Sequence, residues 1–149
     1  MKKILFVCTG NTCRSPMAEL CLKHKFKLAG IKGISVKSAG LSAIDGDKMN
    51  KKSATALKNA GIKPYPFKSR AITLEMINKS DLIICMALNH KEMLSFSGKA
   101  FTLAELTGGN DILDPFGGDQ QIYNRTFNEI EEACNKILYK ISQVLEESK

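Results

Sequence analysis

The residues with the clearest chemical potential are a cysteine and an arginine six positions apart, Cys8 and Arg14. They are the ends of the run Cys-Thr-Gly-Asn-Thr-Cys-Arg, which follows the apolar segment Ile4 to Val7. A loop of this layout curls its backbone N–H groups around a small dianion, with a thiol at the bottom and a guanidinium at the rim. Because a thiolate is a strong nucleophile, the arrangement suits attack on phosphorus by sulfur.

The loop lies between a strand signal and a helix signal. Ser15 is a suitable N-cap and Pro16 fits a first turn, so a helix is predicted to begin here. The unpaired N–H groups of that helix then face the loop. Gly10 permits a left-handed or closely approached backbone within it. A nucleotide-binding phosphate loop is excluded, because no Gly-Lys-Ser/Thr sequence follows the glycine.

The loop predicts a two-step reaction. Attack by Cys8 forms a phosphocysteine, while Ser15 donates a hydrogen bond to the thiolate and the planar fork of Arg14 matches two phosphoryl oxygens. The leaving group needs a proton and a water must later be activated, and one carboxyl group can do both. Asp114 is the candidate, since it precedes Pro115 in a Gly-containing loop. An Asp-Pro pair is equally typical of a simple turn, so both interpretations stay open.

Composition limits the class of protein. The chain has 149 residues, 44% hydrophobic and 25% charged, which predicts a single domain over residues 1–149 with a substantial core. The formal net charge of +7 favours acidic partners such as phosphoproteins or anionic small molecules. The lysines are scattered and no aromatic-basic signature is present, so nucleic acid is not expected as a partner.

The chain carries no signal that favours a membrane or a secreted location. No apolar stretch reaches the roughly 18 residues of a membrane span, and the run Ile4 to Val7 is too short for a signal peptide. The five cysteines are odd in number and lack the spacing of a disulfide framework, which is typical of cytoplasmic thiols. The two histidines have no ligand spacing, so no metal is expected.

Apolar runs alternate with helical patterns along the chain. This alternation predicts an α/β fold with a parallel sheet, helices on both faces, and a ligand at the carboxyl ends of the strands near a switch in strand order. Cys8 directly follows the first strand and therefore falls in that crevice. Strands are predicted over residues 3–7, 34–38, 81–86 and 99–103, and helices over residues 15–29, 48–59, 73–78, 89–96 and 122–147.

Two segments carry a family resemblance, Val7 to Leu20 and Asp114 to Gly118. Together with Ser38-Ala39-Gly40 after the second strand, they resemble the low-molecular-weight protein tyrosine phosphatase family. The order of strands and helices is similar across nearly the whole chain. The resemblance implies a doubly wound, four-stranded parallel sheet and a protein phosphatase that uses no metal or organic cofactor.

The resemblance also implies roles for individual residues. It implies Cys8 as the nucleophile, Arg14 as the phosphate clamp, and Asp114 as general acid and then general base. It implies that Asn11, Ser15 and Ser38 form a hydrogen-bonded set that supports the loop. The residues expected at the phosphate or the substrate are Thr9, Gly10, Asn11, Thr12, Cys13, Ser15 and Phe116.

Thr12 bears on the choice of substrate. Most tyrosine-specific members carry an apolar residue here, often isoleucine, whereas the bacterial protein-arginine phosphatases resemble this chain in having threonine and an Asp-Pro-Phe-Gly-Gly loop. A hydroxyl suits a guanidinium or a water, and an apolar wall suits a phenyl ring. Phosphorylated proteins are the expected substrates, with phosphoarginine favoured and phosphotyrosine the alternative. Asp114 would then protonate a nitrogen, and Phe116 would pack against the substrate side chain.

Two features depart from the family pattern. Eukaryotic members carry two tyrosines after Asp-Pro, where this chain has Phe116 and Gly117, which thins the aromatic wall. A histidine that supports the loop asparagine in the family is replaced near Phe67. That replacement puts in question one hydrogen bond of the network that shapes the loop.

The other cysteines leave alternatives open. The position of Cys13 in the family implies a reversible disulfide with Cys8, and a small packed residue below the loop explains it equally well. Cys21, Cys85 and Cys134 are expected in the core. An arsenate reductase of the same fold would need two further redox cysteines. Cys85 is one candidate, but no partner follows it before Cys134, which disfavours that function.

Overall fold

The computed structural model describes residues 2–148 as a four-stranded parallel sheet with helices on both faces. The strands are β1 (Lys3–Cys8), β2 (Ser35–Gly40), β3 (Leu82–Cys85) and β4 (Ala100–Thr102). The helices are α1 (Arg14–Ala29), α2 (Lys51–Asn59), α3 (Leu74–Lys79), α4 (Leu88–Leu94), α5 (Leu103–Thr107) and α6 (Gln120–Glu147). The predicted α/β fold class is confirmed. Within this part of the chain, no helix is both long and apolar enough to cross a membrane.

The strand order β2-β1-β3-β4 puts β1 at the point where the chain changes direction across the sheet. The first connection runs from β1 to β2 on one side, and the next strand pairs with β1 on the other side, all in parallel. A crevice opens at the carboxyl end of such a strand. Cys8 is the last residue of β1 and lies opposite Gly40 in the register with β2.

Strand β1 is buried on both faces, which explains its continuous apolar run. Ile4, Phe6 and Cys8 belong to the large core cluster that α1, α2 and α6 complete. Leu5 and Val7 belong to the smaller cluster beneath α3 and α4. Since each fully buried aliphatic or aromatic side chain contributes about 1.5–3 kcal/mol, the strand that carries the cysteine is firmly held.

Helix α1 begins one residue earlier than predicted, and Ser15 is not its N-cap. Cys13 occupies the cap position and makes no side-chain hydrogen bond there, while Pro16 lies in the first turn as predicted. The prediction for Ser15 is wrong because α1 begins at Arg14, before Ser15, and the Ser15 hydroxyl contacts the Cys8 sulfur at 2.9 Å. The helix ends at Ala29 as predicted, and Gly30 after it adopts a left-handed φ of 71°.

Most other boundaries shift by a few residues, and one element was missed. Helix α2 begins at Lys51 rather than residue 48, because the Asn50 side chain caps it through the Lys52 N–H. Thr73 caps α3. The missed helix is α5, which begins with a capping box between Thr102 and Glu105.

A substitution at Gly40 tests the packing of β2 against the loop that follows β1, because Gly40 lies directly against that loop. A Cβ at this position would come within 2.5 Å of the Thr9 carbonyl oxygen and 3.0 Å of the Asn11 nitrogen, both backbone atoms. We expect Gly40→Ala to lower the free energy of unfolding by about 2 kcal/mol, measured by urea denaturation. The matched control is Gly109→Ala, where a Cβ meets nothing within 4 Å. Equal effects of the two substitutions would contradict this packing.

Candidate active site

The segment from Cys8 to Arg14 is a tight loop whose carbonyl groups are turned outwards. Three of its carbonyl oxygens accept hydrogen bonds of 2.9–3.0 Å from backbone N–H groups of later segments: Cys8 from Leu41, Thr9 from Ser42, and Thr12 from Asn50. Among residues 2–148, no acceptor pairs with the backbone N–H groups of residues 9–15. A ring of unpaired N–H groups beside the N-terminus of a long helix is an arrangement that binds anions.

Asn11 holds the loop in its curled shape. It is the only non-glycine residue in the described chain with a positive φ, 55°, a conformation that asparagine tolerates. Its buried side chain donates from Nδ2 to Ser15 Oγ at 2.8 Å and to Ser38 Oγ at 2.9 Å. Its Oδ1 accepts the Arg70 backbone N–H at 2.8 Å. The side chain therefore ties the loop to the start of α1, to β2 and to the segment before α3.

The left-handed position that the sequence assigned to Gly10 belongs to Asn11 instead. Gly10 has no positive φ, and a Cβ there would meet only Thr12 Oγ1 at an ordinary 3.7 Å. The close approach of backbone that requires a glycine occurs at Gly40. The curl of the loop thus depends on a hydrogen-bonded asparagine and on the glycine of the neighbouring strand.

Cys8 lies at the base of this loop with its sulfur 2.9 Å from Ser15 Oγ. The direction of this contact follows from the neighbouring bond. Because Ser15 Oγ accepts from the amide of Asn11, its own proton is left to donate to the sulfur. Cys8 therefore has a hydroxyl donor within hydrogen-bond distance of its sulfur.

A buried carboxylate, which the sequence analysis did not predict, completes the hydrogen-bond network that supports the loop. Ser38 Oγ donates to Glu19 Oε1 at 2.7 Å, and Glu19 is 2% exposed. Lys23 Nζ at 2.8 Å and Arg70 Nη2 at 3.8 Å balance its charge. The only sequence signal was the position of Glu19, four residues after Ser15 on the same helix.

The replacement near Phe67 does not leave the asparagine short of partners. Phe67 is buried among apolar residues of the large cluster. The Arg70 backbone N–H and the two hydroxyls satisfy the Asn11 side chain. The hydrogen bond that the replacement near Phe67 put in question is thus not needed to satisfy Asn11, because a backbone N–H donates to its Oδ1.

Arg14 and Asp114 face each other across the loop. Arg14 is buried and donates from Nη1 to the Ile112 carbonyl at 2.9 Å, while its Nη2 lies 3.9 Å from Asp114 Oδ2. Asp114 Oδ1 accepts the Phe116 N–H at 3.1 Å. The turn predicted for the Asp-Pro pair is present, because Oδ1 accepts from Phe116, and the other oxygen of Asp114 faces the guanidinium. The carboxyl group is about half exposed, which leaves it accessible to a substrate.

The loop that carries Asp114 is fastened at both of its ends. On one side the Ile112 N–H donates to the Met86 carbonyl at 2.9 Å, and Asp111 Oδ2 accepts the Leu88 N–H at 3.0 Å. On the other side Lys52 Nζ donates to the Gly118 carbonyl at 2.6 Å. Phe116, at the tip between these anchors, is 79% exposed.

His90 is a second residue that the sequence did not connect with the loop. Its fully buried ring lies on α4, with Nε2 3.0 Å from Thr9 Oγ1 and Nδ1 accepting the Ala87 N–H at 3.2 Å. Burial, and secondly the charge of Arg14, lower the pKa of His90 to about 4, against a smaller opposite effect of Asp111 and Asp114. The ring is therefore neutral at neutral pH. Its position 81 residues from Thr9 explains why no spacing revealed it.

Comparison with known proteins adds to this geometry. The family model for low molecular weight phosphotyrosine protein phosphatase matches residues 3–148. The chain belongs to this family. It is accordingly a phosphatase, and the resemblance stated from Val7 to Leu20 and from Asp114 to Gly118 is confirmed.

The relatives of this low-molecular-weight phosphatase fall into two named activities. The protein-arginine-phosphatase of Bacillus subtilis is 36% identical over 147 residues, covering 94% of this chain and 97% of that protein. The protein-tyrosine-phosphatase PtpB of Staphylococcus epidermidis is 35% identical over 143 residues, covering 93% and 98%. A YwlE arginine phosphatase structure from Geobacillus stearothermophilus superposes with a TM-score of 0.92 at 34% identity, covering 100% of this chain and 98% of that one.

The remaining cysteines of the phosphatase do not form a redox relay. Cys85 faces the smaller cluster, on the opposite side of the sheet from Cys8, and burial raises the pKa of its thiol to about 12. Cys21, Cys85 and Cys134 are fully buried, so the prediction of core positions is confirmed. This placement gives the arsenate reductase alternative no support.

Cys13 is buried beside Tyr123 rather than exposed to the crevice. Its sulfur lies 3.5 Å from the Tyr123 hydroxyl, and burial raises the pKa of this thiol. Cys8 and Cys13 are both free thiols.

Across residues 2–148, no three His, Cys, Asp or Glu side chains are grouped to hold a metal ion.

Proposed function

We propose that this phosphatase hydrolyses phosphoarginine in proteins through a phosphocysteine intermediate. The observation that carries the proposal is that the backbone N–H groups of residues 9–15, in the loop that follows Cys8, have no acceptor among residues 2–148. We infer that they form a ring around the Cys8 thiol. Within it, Gly10, Thr12, Cys13 and the other loop residues contribute N–H groups to a phosphoryl dianion. Phosphate or another oxyanion binds in the same place.

The first step transfers the phosphoryl group to sulfur. The thiolate of Cys8, stabilised by the Ser15 hydroxyl, attacks phosphorus and forms a P–S bond. The N–H ring and the free N–H groups of Arg14 stabilise the charge on the equatorial oxygens. The P–N bond breaks as Asp114 gives its proton to the departing guanidine nitrogen, which takes the electron pair of that bond.

The second step returns the enzyme to its starting state. Asp114, now a carboxylate, removes a proton from a water whose oxygen attacks the phosphorus of the phosphocysteine. The P–S bond breaks, the thiolate of Cys8 is regenerated, and phosphate leaves. Asn11, Ser15 and Ser38 act throughout by holding the loop in shape. The steps need no metal and no organic cofactor.

Two residues at the edge of the loop support phosphoarginine as the substrate. Thr12 is partly exposed and presents a hydroxyl, which suits the polar guanidinium of a phosphoarginine side chain. Phe116 is the single exposed aromatic residue of the Asp114 loop. One aromatic side chain offers little surface for packing against the phenyl ring of phosphotyrosine. The identities of 36% and 35% to an arginine and a tyrosine phosphatase are too similar to decide between them. Phosphotyrosine hydrolysis by the same steps is the alternative.

We also propose a cytoplasmic location for this enzyme, acting as a single domain over residues 1–149. All five cysteines are free thiols, and a thiolate nucleophile requires a reducing compartment to remain active. Phosphorylated proteins are the proposed partners, in agreement with the net charge of +7. Neither nucleic acid nor a membrane is part of the proposal.

Replacing the nucleophile tests the mechanism. We expect Cys8→Ser to abolish release of phosphate from phosphoarginine, phosphotyrosine and an aryl phosphate, because an alcohol is a far weaker nucleophile than a thiolate. The variant should still bind vanadate, since the N–H ring is unchanged, and isothermal titration measures this. The control is Cys85→Ala, on the other face of the sheet, which should keep its activity. Turnover that survives in Cys8→Ser would contradict the sulfur mechanism.

Asp114→Asn tests the general acid. We expect a loss in kcat on the order of a hundredfold for a poor leaving group and a small loss for a good one, because only the poor leaving group needs the proton. A series of aryl phosphates measures this dependence. Asp119→Asn is the matched control at the end of the same loop, since asparagine also caps a helix such as α6. A poor leaving group released at the normal rate would remove Asp114 from the mechanism.

Thr12→Ile tests the choice of substrate. We expect the ratio of kcat/KM for phosphoarginine to that for phosphotyrosine to fall about tenfold or more, because the change removes a polar contact and adds an apolar wall. Thr55→Ile, on the exposed side of α2, is the control. An unchanged ratio would make protein tyrosine phosphatase the better description.

A further inference from the structure

The hydrogen bonds of His90 determine which of its ring nitrogens carries the proton. Nδ1 lies 3.2 Å from the backbone nitrogen of Ala87, which can only donate. Nδ1 must therefore be the unprotonated nitrogen of the neutral ring. The proton lies on Nε2, which is 3.0 Å from Thr9 Oγ1.

This tautomer also fixes the direction of the Thr9 hydroxyl. Since His90 Nε2–H donates, Thr9 Oγ1 accepts, and its own proton is left over. No other side chain or backbone group between residues 2 and 148 pairs with this hydroxyl. Thr9 is exposed, follows the Cys8 nucleophile directly, and belongs to the ring of unpaired N–H groups. A free O–H donor is thus held at the anion-binding loop by a histidine on another helix.

We propose that His90 is a positioning residue, which holds the Thr9 hydroxyl so that its proton is available to the phosphoryl oxygens of the substrate. The proposal rests on the phosphatase mechanism above and adds a side-chain donor to its backbone donors. His90 acts through Thr9 and does not touch the substrate. A neutral imidazole suits this role, because the doubly protonated ring would lose the bond from Ala87 and would add a charge beside Arg14.

Helix α4 connects the contact between His90 and Thr9 with the loop that carries Asp114. The N-terminal turn of α4 receives Asp111 of the general-acid loop at the Leu88 N–H. The same turn places His90 against Thr9 in the loop from Cys8 to Arg14. One helix turn therefore contacts both loops, and His90 is the part of it that bonds to Thr9. An apolar side chain of similar size at position 90 would fill the space but would not orient the Thr9 hydroxyl.

Nuclear magnetic resonance tests the tautomer without any substrate. The chain has two histidines, so a long-range ¹H–¹⁵N spectrum at pH 7, with His24→Gln for assignment, identifies the ring signals of His90. We expect a protonated Nε2 and an unprotonated Nδ1. A ring protonated at Nδ1, or at both nitrogens, would overturn the proposal.

Kinetics tests the positioning role with three variants. His90→Leu removes the donor, Thr9→Val removes the hydroxyl, and His90→Gln places an amide nitrogen near the position of Nε2. We expect the first two to lower kcat/KM about tenfold, mainly through kcat, and to weaken vanadate inhibition to a similar extent. The double variant should lose no more than either single one, and His90→Gln should recover most of the loss. His24→Gln is the control that should leave activity unchanged.

The outcomes separate this proposal from the proposed function. Wild-type enzyme without phosphatase activity, or activity that survives Cys8→Ser, would refute the proposed function. Cys8-dependent activity that Thr9→Val leaves intact would refute only the role of His90, as would losses that multiply in the double variant. If His90→Leu does not fold, Thr9→Val and His90→Gln decide the matter, because the Thr9 side chain is exposed and the amide preserves the buried bond.

Discussion

The left-handed backbone of Asn11 is the constraint on which the site depends. A residue other than glycine adopts this conformation at a cost of order 1–3 kcal/mol unless its surroundings hold it there. Here three hydrogen bonds from the buried side chain hold it. On either side of this turn the carbonyl groups of Thr9 and Thr12 accept hydrogen bonds from later segments, while the N–H groups of residues 9–15 have no acceptor among residues 2–148. Without that turn Cys8 would end a strand with no oxyanion site above it.

The hydrogen bonds around Asn11 also have a fixed direction. The Arg70 backbone N–H can only donate, so it selects the oxygen of the Asn11 amide and leaves both N–H groups for Ser15 and Ser38. The Ser38 hydroxyl donates a hydrogen bond to the Glu19 carboxylate. Ser15 has only the Cys8 sulfur as acceptor for its own proton. A buried acid in α1 thus belongs to the hydrogen-bond chain that directs the Ser15 hydroxyl proton to the Cys8 sulfur.

Local patterns predicted the fold well, and they placed Cys8 and Arg14 at the ends of the loop between a strand and a helix, where the structure has them. The continuous apolar run of β1, the strong amphipathic pattern of α6 and the strand-loop-helix order around Cys8 are signals within short windows, and all agree with the structure. Ser15 was misassigned as a cap because the folded loop lets α1 begin at Arg14, before Ser15. His90 and Glu19 escaped prediction because their partners are set by tertiary packing, which spacing along the chain does not record.

The two anchors of the Asp114 loop have a consequence for catalysis. A segment tied at Ile112 and at Gly118 samples few conformations, so most of its disorder is lost when the protein folds rather than in each reaction cycle. In the proposed mechanism, the carboxyl group of Asp114 then meets a bound leaving group at a high effective molarity, as if it were part of the same molecule. Loosening either anchor would lower this effective molarity without changing the carboxyl group itself.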